Sequence, residues 1–240
     1  LILLVAALHA VVPGNASAQT WGPQAKPPAV AGRNQITEGQ EHLEKRRYPA
    51  AVRVLSAVIL KDANAAEAYL LRGQAYDQSG APQKALQDFT KYIALRPSDP
   101  TGYIKRADAH NFNQDPQAAL ADYGEAAKLA PKSVPAHLGR GLANSALERY
   151  DEAIKDFQWV LTLDPDNSEA LGNIGLACML TGRSLEAVSY FEKALKREKD
   201  PRWRSLLEKW IQDMVKSADS RNQAGRGPVR TPAGPSGPLW

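Results

Sequence analysis

Apolar and polar residues along the chain follow a helical spacing of three and four that restarts every 34 residues. Tyr69, Gly73 and Tyr76 make the apolar face of one such helix. Laid against itself at that offset, the chain shows five registers without insertion, starting at Gly32, Ala66, Pro100, Val134 and Ser168. The eighth place reads Gly39, Gly73, Ala107, Gly141, Gly175, and the twentieth reads Ala51, Ala85, Ala119, Ala153, Ala187. The twenty-fourth place is large: Leu55, Phe89, Tyr123, Phe157, Phe191. Small residues at two fixed places let paired helices approach, and the large residue fills the gap they leave. Pro97, Pro131 and Pro165 at the thirty-second place then stop the second helix. Asp115-Pro116 reads as a cap and first helical position opening one second helix.

This pattern resembles the tetratricopeptide repeat family, a helix-turn-helix unit of this length, over residues 32 to about 200. The resemblance implies an all-α, right-handed superhelical solenoid of five repeats, at 32–65, 66–99, 100–133, 134–167 and 168–200. The ends depart from the pattern, with Ala63 in repeat 1 and Lys199 in repeat 5 where the middle repeats have proline. A last helix at 201–218 puts Trp203, Leu206, Leu207, Trp210 and Met214 on one face, as expected of a cap that seals a stack. A helix lying on a membrane surface is the alternative, and the mixed signs of Arg204, Glu208, Lys209 and Asp213 argue against it.

Arginine occupies the seventh place of the three middle repeats, at Arg72, Arg106 and Arg140, where an apolar face invites leucine. Sixteen residues after each stands an aspartate: Asp88, Asp122 and Asp156. Repeats 1 and 5 lack both members, so pairing within a repeat is the simplest reading and the arginines are expected to be structural ion pairs. An anion-binding arginine stripe is the alternative.

By the resemblance, the first helices line a groove through places 2, 5, 9, 12 and 13 of each repeat. Candidate partner-binding residues are then Leu70 and Gln74 in repeat 2, and Ile104, Asp108, Asn111 and Phe112 in repeat 3. Repeat 4 offers Leu138 and Leu142, and repeat 5 offers Leu176, Met179 and Leu180. The surface turns apolar toward the later repeats, which suits a protein or peptide partner unless the last helix covers it. The Lys, Asn and Arg clamp with which some relatives hold a terminal carboxylate is not reproduced at the matching positions.

The net charge of +4 sits mostly at the ends: the last 22 residues hold three arginines and one aspartate. A nearly neutral body argues against nucleic acid as partner. Leu1–Val12 is apolar and is followed by Pro13-Gly14 and Ala16-Ser17-Ala18, the pattern of a secretory signal at 1–18 cleaved after Ala18. That implies an exported protein of a bacterial periplasm. Membrane contact is expected only if the segment stays uncleaved. A Pro-containing linker at 19–31 and a tail at 219–240 rich in Gly, Pro and Arg, expected to be disordered, flank the repeats.

Enzyme chemistry finds no support. His42, His110 and His137 lie in separate repeats, and Glu38 with His42 supplies only two ligands for a metal. No phosphate-cradling loop or nucleophile elbow is present, and the lone Cys178 reads as a small core residue. The expectation is a non-enzymatic scaffold with no cofactor, or alternatively a self-associating structural component assembled through the tail or the solenoid ends.

Overall fold

The computed structural model describes the backbone from Val30 to Gly225 and the side chains of residues 34–217. The expected signal at 1–18, nearly all of the 19–31 linker and the tail beyond residue 225 lie outside the described residues. The chain divides into two compact units, residues 1–165 and 166–240.

The first unit holds helices α1 (Val30–Glu44), α2 (Tyr48–Lys61), α3 (Ala66–Gln78), α4 (Pro82–Leu95), α5 (Pro100–Phe112), α6 (Pro116–Leu129), α7 (Val134–Ala146) and α8 (Tyr150–Leu163). Each odd-numbered helix pairs with the next, and within this unit each of the first three pairs packs on the pair that follows. The eighth and twenty-fourth places meet at the centre of each pair. A Cβ added to Gly73 would stand 2.7 Å from the Phe89 ring, and one on Gly141 2.6 Å from Phe157. Glycine is needed there because the aromatic ring occupies the space of its side chain. In the third repeat Ala107 takes the eighth place, and the Tyr123 ring instead leans on Gly139 of the following repeat, which has no room for a Cβ.

The turns repeat as strictly as the core. Arg46, Gly80, Gln114 and Glu148, all fifteenth in their repeats, take positive φ between 54° and 79°. The next residue's amide then reaches back to the eleventh place, as in Ala81 N to Tyr76 O at 2.8 Å and Asp115 N to His110 O at 2.9 Å. This left-handed stop satisfies carbonyls that a helix end would otherwise leave bare. Second helices open on proline at α2, α4 and α6, and Asp115 adds a side-chain cap to the Ala118 amide at 3.0 Å.

The second unit holds α9 (Ser168–Leu180), α10 (Ser184–Arg197) and α11 (Pro201–Gly225). Phe191 presses on Gly175, 2.5 Å from where a Cβ would sit, and Trp210 of α11 packs on Phe191 with ring centroids 5.2 Å apart. Leu207 is fully buried, while Trp203, Leu206, Trp210 and Met214 are half-buried. Arg204 does more than flank this face: its Nη1 donates to the carbonyls of Leu195 and Glu198 at 2.7 and 3.0 Å, closing the end of α10. The helix continues seven residues past the boundary expected at 218. Among the described residues no helix is long and apolar enough to cross a membrane.

Candidate functional site

Each seventh-place arginine lies between helices of its own repeat. Arg72 donates from Nε and Nη2 to the two oxygens of Asp88 at 2.8 and 2.7 Å, and Arg106 does the same to Asp122 at 2.8 and 2.7 Å. Arg140 reaches Asp156 at 3.0 Å from Nε and 2.5 Å from Nη2. The three carboxylates are buried. Their hydrogen bonds raise the guanidinium pKa values against the opposing effect of burial, so the arginines stay charged. With their forks filled by carboxylate oxygens, they are poorly placed to hold a ligand anion.

A third partner joins the first two pairs. Arg72 Nη1 donates to Ser56 Oγ at 3.0 Å and Arg106 Nη1 to Thr90 Oγ1 at 3.1 Å, each from the preceding repeat. The equivalent residue for Arg140 is Gly124, with open space where a side chain would be. Repeat 4 compensates around the aspartate. His137 stacks on Trp159 at 3.8 Å, donates from Nε2 to the Pro131 carbonyl at 3.1 Å, and sets Nδ1 3.3 Å from Asp156. Asn144 reaches the same carboxylate at 3.4 Å.

The groove candidates of the first unit divide by depth. Leu70 and Ile104 pack partly into the core between repeats. Gln74, Asp108, Asn111, Leu138 and Leu142 are half-buried, and Phe112 is 65% exposed. In the second unit Met179 is half-buried and Leu180 exposed, but Leu176 is buried. Leu176, expected on the groove surface, is 8% exposed: α9 is apolar on nearly every side, and the side chain packs largely into the core.

Asp108 is fixed from two directions. The Tyr123 hydroxyl donates to Oδ1 at 2.5 Å, and Lys105 Nζ stands 3.6 Å from Oδ2. Across the repeat boundary lies Asp77, whose carboxyl is pushed above its ordinary 3.8 by burial and then by the charge of Asp108. Asp77 falls at the groove-lining twelfth place of repeat 2, but its closeness to the ninth-place aspartate of repeat 3 and the role of Tyr123 left no mark in the repeat pattern. Among the described residues no group of three metal-ligating side chains converges, and His42 meets only Glu38, at 3.8 Å.

The tetratricopeptide repeat family model matches residues 36–100, 104–156 and 145–202. No curated protein matches the chain in sequence. Among solved structures, a crystal structure of MamA protein superposes with a TM-score of 0.64 at 27% identity, covering 70% of this chain and 91% of that one. MamA 41-end from Desulfovibrio magneticus RS-1 gives a TM-score of 0.66 at 21% identity over 70% and 95% of the two chains. YrrB, described as a TPR protein with an unusual peptide-binding site, gives 0.63 at 19% over 73% and 90%. The last two likenesses show the fold alone.

Proposed function

Because the chain belongs to the tetratricopeptide repeat family, whose repeats act as protein interaction scaffolds, we propose that it binds an extended peptide or a partner helix along the first helices of repeats 2 to 4. The observation that carries this is the in-register stripe on α3, α5 and α7. There half-buried Leu70, Ile104, Leu138 and Leu142 stand among Gln74, Asp108 and Asn111, beside the exposed Phe112 ring. Apolar anchors flanked by polar groups suit a ligand that contributes both side chains and backbone. The likeness to YrrB is in keeping with a peptide ligand. The apolar segment and Ala16-Ser17-Ala18 motif of the first 18 residues support export to the cell envelope.

Affinity capture from a cell-envelope extract with the full chain tests this reading. A protein retained by the parent and by Leu60→Glu, and lost by Phe112→Glu, is the expected result. Leu60, 89% exposed on a second helix, serves as the control. Equal capture by all three would remove the groove from the account. Self-association is the second reading, favoured by nearly full exposure of Leu60 and Leu185. A mass in light scattering that rises with concentration and falls in Leu60→Glu would support it.

A further inference from the structure

Among the described side chains, the groove stripe of the first unit carries an excess of negative charge. Among the described side chains at these places stand Glu44, Glu67, Asp77 and Asp108 and no cation, with Lys105 beside them at the sixth place of repeat 3. That lysine is engaged by Asp108, and Tyr123 donates to the same carboxylate. Among the described residues no cation stands within ion-pair distance of Asp77; burial and then the charge of Asp108 make its ionisation costly, and the charge of Lys105 offsets only part of that cost. A further carboxylate brought here would add to that cost, whereas a cation would relieve it.

The surface is more than its carboxylates. Phe112 follows Asp108 by one helical turn on α5, about 6 Å along the axis, and its ring is 65% exposed. An aromatic ring one turn from Asp108, with Asp77 near enough to that carboxylate to feel its charge, suits an arginine in particular. The planar guanidinium can donate to two carboxylates at once and lie against a ring, while an ammonium acts as a point charge. Half-buried Gln74 and Asn111 on the same stripe can hydrogen-bond an extended backbone.

We infer that this groove selects an extended peptide segment carrying an arginine next to an apolar side chain, the guanidinium between Asp77 and Asp108 and the apolar group on Phe112. The inference rests on the peptide-binding reading above and names the chemistry of the ligand.

The test is selection of a displayed library of random 12-residue peptides on the immobilised full chain. Affinities of the selected peptides are then measured by fluorescence anisotropy. Asp77→Asn and Phe112→Ala are compared with the parent after circular dichroism shows both folded. Asp77→Asn removes a charge without a change of size, and Asp77 supports no internal bond whose loss would disturb the fold. Enrichment of arginine together with Leu, Phe or Trp is expected, with binding about tenfold or more weaker to Asp77→Asn and weakened by salt. Acidic or uncharged peptides that still require Phe112 would overturn the arginine assignment and leave peptide binding in the groove standing. Arginine peptides indifferent to Asp77→Asn would overturn it too. A library without any Phe112-dependent binder would overturn both the assignment and the groove.

Discussion

Arg106 holds both oxygens of Asp122 at once, Nε to Oδ2 at 2.8 Å and Nη2 to Oδ1 at 2.7 Å, and so joins α5 to α6 beneath the surface. The carboxylate is buried while the guanidinium keeps about a quarter of its side chain in solvent. Removing the arginine strands the buried charge. Arg106→Ala should therefore destabilise the protein by up to ~3–5 kcal/mol, the cost of breaking a buried pair, less the relief that solvent at the arginine provides. The double change Arg106→Leu, Asp122→Leu should cost less, because no charge is left behind. Urea denaturation of the three proteins checks this. A double variant less stable than Arg106→Ala would contradict it.

The missing hydroxyl beside Arg140 makes a second prediction. Gly124 lies inside α6, so Gly124→Ala should stabilise by roughly 0.5–1 kcal/mol through helix propensity alone. Gly124→Ser should match or exceed that gain despite serine's poorer propensity. Its hydroxyl would stand where Ser56 and Thr90 accept from Arg72 and Arg106. A serine variant clearly below the alanine variant in thermal melting would mean that the third bond does not form.

How far these relations could be read in advance depends on whether they leave a periodic mark. Gly73 against Phe89 and Arg72 against Asp88 recur at a constant offset, so the helix pairs and the candidate ion pairs were visible in the residues alone. The left-handed turn at the fifteenth place recurs as strictly, yet glycine holds it only at Gly80 and Gly182, while Arg46, Gln114 and Glu148 bear the same conformation. Backbone geometry imposed by the hairpin there overrides side-chain preference, and residue type conceals it. Gly139 was hidden for another reason: it answers the alanine at 107 through the Tyr123 ring, a compensation between repeats with no periodic signature. Groove depth was the least legible. Leu176 and Leu142 occupy the same place of their repeats, and only packing separates the buried side chain from the half-buried one.

Tyr92 and Asp99 set a pH dependence. The Tyr92 hydroxyl donates to Asp99 Oδ2 at 2.5 Å, and the Thr101 amide donates to Oδ1 at 2.9 Å. Burial by itself would raise the Asp99 carboxyl; the bonds from Tyr92 and Thr101 outweigh it and bring the group below its ordinary 3.8. A depressed carboxyl contributes stability that is present above the unfolded value and lost as pH falls through the folded one. Tyr92 moves the other way, raised above its ordinary 10.0 by burial and by Asp99, so its contribution is present below that pH and lost on the alkaline side. Tyr92→Phe should therefore lower Tm most near neutrality, with the gap from the parent narrowing as the pH falls below the ordinary carboxyl value of 3.8 and Asp99 is protonated. A gap of constant size from neutral to acid pH would contradict the linkage.

The groove claim is tested most directly by photocrosslinking. Benzoylphenylalanine is placed singly at Gln74, Phe112, Leu60 and Leu129 of the full chain, the last two being exposed positions on second helices. After irradiation in a cell-envelope extract, adducts to a shared partner are predicted from 74 and 112 and not from 60 and 129. Adducts from 60 or 129, with none from 74 and 112, would place the interaction on the second helices and contradict the account.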